Sequence, residues 1–229
     1  MALAKMKQKL INPVCLCCGS LFVQNFLFCN DCFDTRIRQI IAFSNGKEVQ
    51  KNLKTYHLFE WKRGQSDMLS EFVYRFKSDR CLEAWKFYGN LACSKFIAAE
   101  GTSEIDFIVP VPGSKKKSYH AQIFAKIVSE QTGIPILDIL EKKLHSDSQE
   151  GEQKHRNRVE RSRITIFRCE QFTQFPEWDK SEKRILVVDD IKTSGNSFRQ
   201  VLKALGSVKS ATLLTLFSRE KEENTALVS

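Results

Sequence analysis

The sequence predicts an α/β fold: a mostly parallel sheet flanked by helices, with a small N-terminal zinc-binding module. Three observations predict it. Apolar strand-like runs at 105–111, 184–190 and 208–217 alternate with segments whose apolar residues recur at helical spacing. Five of the eight cysteines fall within residues 1–43. The run RILVVDD ends on two carboxylates and passes at once into a short turn rich in hydroxyls, with one glycine.

A length of 229 residues is one domain of ordinary size with room for an accessory module. Hydrophobic residues make up 42% and include 17 Phe, so a packed core is feasible and whole-chain disorder is excluded. Only 10 Gly and 5 Pro exclude a collagen-like or linker-type chain. No run of about 18 apolar residues occurs, so no spanning helix is expected. The start MALAKMKQKLINPVC lacks the apolar h-region of a secretory signal. The expectation is a cytoplasmic protein whose cysteines are thiols or metal ligands rather than disulfides. The net charge of +9 favours polyanionic partners such as nucleic acid, phosphorylated metabolites or an acidic membrane face. Charge alone leaves open a merely soluble basic protein.

Along the chain, residues 1–43 read as the zinc module, 44–65 as a linker or hairpin turning at Asn45-Gly46, and 66–219 as the main domain. Residues 220–229 read as a flexible tail. Ser66 is a candidate cap for a helix with the apolar face Leu69, Phe72, Val73 and Phe76. A second helix carries Leu82, Trp85, Leu91, Ala92 and Phe96. The strand IDFIVPV (105–111) ends at Pro112-Gly113. A helix with Ile123, Phe124, Ile127 and Val128 then stops near Gly133. A long polar stretch, 141–163, precedes the strand 184–190. Phe198, Val201, Leu202 and Leu205 form one face of a helix closed by Gly206, and the strand 208–217 follows.

Cys15-Leu-Cys17-Cys18 and Cys29-Asn-Asp-Cys32 give two CxxC pairs, the knuckle spacing of a tetrahedral four-cysteine zinc site. Gly19 suits the tight turn after the first pair. So short a segment has little core of its own, and metal binding would supply folding free energy on the order of 10 kcal/mol. The expected ligands are Cys15, Cys18, Cys29 and Cys32, with Cys17 spare. The alternative is buried free thiols or a redox pair. Cys81, Cys93 and Cys169 read as small core hydrophobes.

In an open α/β sheet, ligands sit at the carboxyl ends of strands. Here such an end carries Asp189 and Asp190, followed by Thr193, Ser194, Gly195, Asn196 and Ser197 at a helix start. Free N–H groups and the helix dipole attract an anion, and Gly195 lets the backbone approach it closely. The carboxylates accept only, so they suit sugar hydroxyls or Mg²⁺. One site thus offers acceptors for a ribose beside donors for its phosphate. The competing reading is a capped helix after a buried strand.

The stretch 185–197 resembles the signature of type I phosphoribosyltransferases: four apolar residues, two acids, an apolar residue, any residue, Thr, Thr/Ser, Gly, any residue, Thr/Ser. The resemblance implies a parallel sheet with flanking helices and a small hood. It implies that Asp189 and Asp190 hold the ribose hydroxyls of 5-phosphoribosyl 1-diphosphate (PRPP) near Mg²⁺, and that residues 193–197 cradle the 5′-phosphate. With the finger at 15–32, Trp61-Lys-Arg-Gly64, Arg75-Phe-Lys77 and Val109-Pro-Val-Pro112, the chain is similar to the ComF/GntX-like family from about residue 13 to 219. Where that family has an Arg-Gly-aromatic-Asn-Gln run, this chain has Lys115-Lys-Lys-Ser-Tyr-His120.

In related enzymes Lys115, Lys116 and Lys117 would lie in the pyrophosphate loop, where three ammonium groups could balance a diphosphate. Lys154, Arg156, Arg158, Arg161 and Arg163 would lie in a mobile loop that closes over substrate. Either basic run is otherwise a solvated loop, and the second is alternatively a nucleic-acid backbone contact. His120, His145 and His155 have no metal-like spacing and are expected to hold no ligand. In 22–63, Phe22, Phe26, Phe28, Phe33, Tyr56, Phe59 and Trp61 interleave with basic residues, a pattern that serves single-strand binding or a small core. The ComF resemblance implies a PRPP-binding protein that helps single-stranded DNA enter the cytoplasm during natural transformation. That places it beneath the inner membrane with DNA-uptake machinery as partner. The alternatives are an active phosphoribosyltransferase of nucleotide metabolism and a PRPP-sensing regulator.

Overall fold

A computed structural model describes residues 14–23, 27–41, 43, 47–50, 52–61, 67–76, 82–113, 119–144, 164–169 and 182–219. The alternating apolar runs fold into a five-stranded sheet of order β1-β2-β7-β6-β3. The strands are β1 (Lys47–Gln50), β2 (Leu53–Trp61), β3 (Phe107–Pro110), β6 (Arg184–Lys192) and β7 (Ser210–Arg219). Among the described strands of this sheet, β1 runs antiparallel to β2, and the β2–β7, β7–β6 and β6–β3 pairs are parallel. A separate antiparallel ribbon joins β4 (Leu140–Leu144) to β5 (Ile164–Arg168).

A helical segment, α1, is built of Asn30–Cys32, a π-helical turn over Phe33–Ile37, and Arg38–Ile40. The others are α2 (Asp67–Phe76), α3 (Leu82–Glu100), α4 (His120–Thr132) and α5 (Asn196–Leu205). α4 ends on Gly133 in the left-handed conformation, as the sequence predicts. Ser66, the expected cap of α2, lies outside the described residues. On α3 the buried face is Trp85, Tyr88, Ala92, Cys93 and Phe96, whereas Leu82 is exposed.

Strand alternation divides the apolar residues of β6 between two cores. Leu186 and Val188 join a core shared with Phe72, Trp85, Tyr88, Phe96, Phe124 and Val128. Ile185 and Val187 join a second core with Phe198, Val201 and Leu205 of α5 and with Leu140 and Ile166 of the β4–β5 ribbon. Helices thus cover one face, while α5 and the ribbon cover the other.

Two segments are integrated into the main domain. The 44–65 stretch does hold a hairpin, β1–β2, but β2 also enters the main sheet, with register Leu53↔Ala211 to Trp61↔Arg219. Its buried Tyr56, Leu58 and Phe59 supply the apolar surface that draws it in. Among the described residues, the cysteine-bearing segment shares the core of the domain. Cys15, Phe28, Cys29, Cys32, Phe33 and Ile37 are buried in the same cluster as α2, α3 and α4. Among the described residues, no helix is long and apolar enough to cross a membrane.

Candidate sugar-phosphate site and metal centre

β6 carries its four apolar residues into the sheet and continues through Asp189 and Asp190 to Lys192, two residues further than the sequence suggests. Thr193 and Ser194 are exposed and turn the chain, and Gly195 stands as the residue before α5 with φ +71°. A side chain there is strained whatever the space around it; glycine adopts the conformation freely. Asn196 N–H donates to Ser194 Oγ (3.4 Å), and Arg199 N–H donates to Gly195 O (3.1 Å), closing the first turn of α5. Residues 193–197, singled out by the sequence, are therefore the turn after β6 and the first two residues of α5.

Asp189 and Asp190 are both half-buried. Burial holds the Asp189 carboxyl well above the usual carboxylate range, and the neighbouring Asp190 charge adds to the rise. The Asp190 N–H, donating to Asp189 Oδ1 at 2.8 Å, and the Lys142 charge oppose it without cancelling it. Lys142, on β4, is itself pulled below the ordinary lysine range by burial, against the charges of both acids. The two adjacent carboxyl groups present four oxygens at the end of β6, with the Lys142 ammonium near both. That donor set fits Mg²⁺, which takes oxygen ligands, and it fits sugar hydroxyls.

The first residue of α4 completes the surroundings. His120 lies flat against the buried indole of Trp85, with ring centroids 5.6 Å apart and planes 9° apart. Its Nδ1 is 4.0 Å from Asp190 Oδ2. Trp85 is fixed in turn by Nε1–H donating to Phe76 O at 3.1 Å. Sequence reasoning missed Lys142 and gave His120 no role, since neither has a motif spacing. Their signal is tertiary. The first residue of α4 and the ribbon strand β4 both come back to the acid pair of β6.

Lys115, Lys116 and Lys117 lie outside the described residues. So do Lys154, Arg156, Arg158, Arg161 and Arg163. In the sequence, the latter group lies between β4 and β5. Of the interleaved aromatics, Phe28, Phe33, Tyr56 and Phe59 are buried in the core, Trp61 is half-buried under Arg219, and Phe22 is exposed. Phe26 lies outside the described residues. The rings chiefly fill the core, which removes most of the proposed stacking surface.

The cysteines do assemble. The sulfurs of Cys15, Cys18, Cys29 and Cys32 lie within 4.8 Å of one another. Cys18 Sγ and Cys29 Sγ are 3.7 Å apart. A tetrahedral ion about 2.3 Å from each sulfur requires edges of roughly 3.8 Å. The first knuckle is held by Gly19 N–H donating to Cys15 O (2.9 Å) and Cys15 N–H donating to Ser20 O (2.8 Å), with Gly19 at φ +73°. Burial raises the Cys15 thiol, but the backbone hydrogen bonds around it prevail and bring it down to about 6. Burial and the neighbouring sulfurs push Cys32 up. Four crowded sulfurs of which one favours the thiolate are the donor set a soft divalent cation fits. Cys17 is not one of the four, and its Sγ donates to Met68 Sδ at 3.0 Å.

Three comparisons bear on this arrangement. No curated protein matches the chain. Among solved structures it is similar to a hypothetical protein from Neisseria gonorrhoeae with bound ppGpp, at 15% identity over 61% of this chain and 69% of that one, with a TM-score of 0.41. It is also similar to adenine phosphoribosyltransferase from Trypanosoma brucei, in complex with AMP, pyrophosphate and ribose-5-phosphate (11%, 77% and 86%, 0.37). The same enzyme from Saccharomyces cerevisiae, complexed with an imino-altritol bisphosphate and adenine, gives 14%, 70% and 82%, and 0.36. Residues 97–226, more than half of the chain, match the model described as the phosphoribosyl transferase domain. That span contains β3 to β7 with the acid pair and the glycine turn, and the chain accordingly belongs to the phosphoribosyl transferase domain family.

Proposed function

We propose that the chain binds PRPP with Mg²⁺ at the carboxyl end of β6. The observation that carries the reading is the run from Asp189 and Asp190 through the Gly195 turn into the N-terminus of α5. Asp189 and Asp190 take the ribose hydroxyls beside Mg²⁺, and residues 193–197 give N–H and hydroxyl donors to the 5′-phosphate. Lys115–Lys117 face the diphosphate, and the basic segment from Lys154 to Arg163 folds over the bound ligand. Cys15, Cys18, Cys29 and Cys32 hold a structural Zn²⁺. In thermal unfolding, PRPP with Mg²⁺ at a hundredfold over Kd raises stability by about 2.7 kcal/mol. An unchanged melting curve at millimolar PRPP and Mg²⁺ refutes the reading.

The net charge of +9 supports a second level of the same proposal. As in the ComF type that the sequence resembles, the chain handles incoming single-stranded DNA, with PRPP kept as a ligand. Oligonucleotide binding then falls steeply with salt, since phosphate contacts dominate. Fluorescence anisotropy showing no binding at low salt removes this level and leaves PRPP binding standing. Release of pyrophosphate from PRPP with a nucleophilic acceptor would instead mark an active transferase.

A further inference from the structure

His120 begins α4, and the side chains of His120 and Asp190 are each only 16% exposed. The imidazole cannot swing freely, because one face rests on Trp85, itself 1% exposed and hydrogen-bonded through its indole N–H. The imidazole Nδ1 lies 4.0 Å from Asp190 Oδ2.

This separation is too long for a direct hydrogen bond. It suits a shared third atom. An oxygen about 2.8 Å from each would see the two at roughly a right angle. A hydroxyl meets both demands at once, donating its hydrogen to the carboxylate and accepting from the imidazole N–H. A phosphate oxygen does not, having no proton to give Asp190 at neutral pH.

We propose that His120 contacts the ligand directly: with Asp190 it forms a two-point clamp on one hydroxyl of the bound sugar. This rests on the PRPP reading above. Rigid stacking on Trp85 presents the donor already oriented, so little side-chain entropy is lost when the hydroxyl arrives. The chemical class selected at this point is a sugar with a free hydroxyl.

The test is calorimetric titration of the full chain with PRPP and Mg²⁺, comparing wild type with His120→Phe, His120→Asn and His120→Leu. Phe keeps the ring on Trp85 and removes the nitrogen. Asn places a polar atom near the position of Nδ1, and Leu is its near-isosteric apolar counterpart. The expected result is about tenfold weaker binding in the Phe and Leu variants, with Asn within about threefold of wild type. Phe and Asn binding equally well overturns the clamp while PRPP binding stands, as does Asn losing as much as Leu. The Asn–Leu comparison decides the matter if the Phe variant fails to fold. Absence of binding by wild type overturns the underlying reading and the clamp with it.

Discussion

Phe28, between the two cysteine pairs, meets Phe72 of α2 edge-on, with ring centroids 5.2 Å apart and planes at 86°. Both rings are fully buried. The cysteine-bearing segment is thereby joined to the hydrophobic interior of the sheet domain, and Phe33 repeats the link through Phe87 of α3 at 5.6 Å. Folding of the segment that could hold a metal is thus coupled to folding of the sheet.

Stripping the metal, or Cys29→Ser, is expected to lower the midpoint of the main thermal transition and not merely remove a small early one. Binding free energies of structural zinc are on the order of 10 kcal/mol, enough to dominate a domain's net stability. Scanning calorimetry beside metal analysis checks this. An unaltered main transition in the stripped protein would show that the segment folds apart.

Phe72 also touches Phe59, Phe76, Tyr88 and Phe217. Phe72→Ala removes the centre of this cluster and is expected to cost about 3–5 kcal/mol, with a cavity between α2 and the sheet. Urea unfolding measures it, and a loss below about 1 kcal/mol would mean that the site collapses around the hole.

Asp189→Asn is expected to stabilise the ligand-free protein at neutral pH. The folded-state carboxyl lies above its unfolded value because of burial, then the Asp190 charge. The folded state therefore retains the proton longer, and stability declines as pH rises from the ordinary carboxylate range through the raised folded value. The neutral amide escapes this loss, so the melting temperature rises by roughly 2–4 °C for each kcal/mol recovered. The gain shrinks towards acid pH. A variant less stable than wild type at pH 7 would contradict the assignment.

Gly195→Ala places a side chain at φ +71°, where no close neighbour blocks it but the backbone resists. About 1–3 kcal/mol of stability is expected to be lost, less for Gly195→Asn, which tolerates this region better. Both variants are expected to weaken PRPP binding, because a side chain crowds the phosphate turn. Ala binding as well as wild type would place the phosphate elsewhere.

The sheet and its helices were largely legible because 185–188 is a continuous apolar run, 208–217 is rich in apolar residues and 198–205 has a clean helical stripe. β2 was not, since LKTYHLFEW mixes aromatic and polar residues, and only pairing with β7 shows which ones are buried. The β4–β5 ribbon was hidden for a related reason. Among the described residues of the ribbon, Leu140 and Ile166 are buried, and Lys142 and Lys143 make β4 look like part of a polar loop. At the site, the acid pair and turn are local in sequence and could be read directly. His120 and Lys142 reach it only through chain reversals, which no spacing encodes.

Titration calorimetry with PRPP and Mg²⁺, on wild type and on Asp190→Ala, decides most about the acid pair and its turn. One ligand per chain is expected for wild type, with binding at least tenfold weaker in the variant, since a charged contact is worth about 1.5–3 kcal/mol. A wild type that gives no binding signal, or a variant with unchanged affinity, would contradict the site.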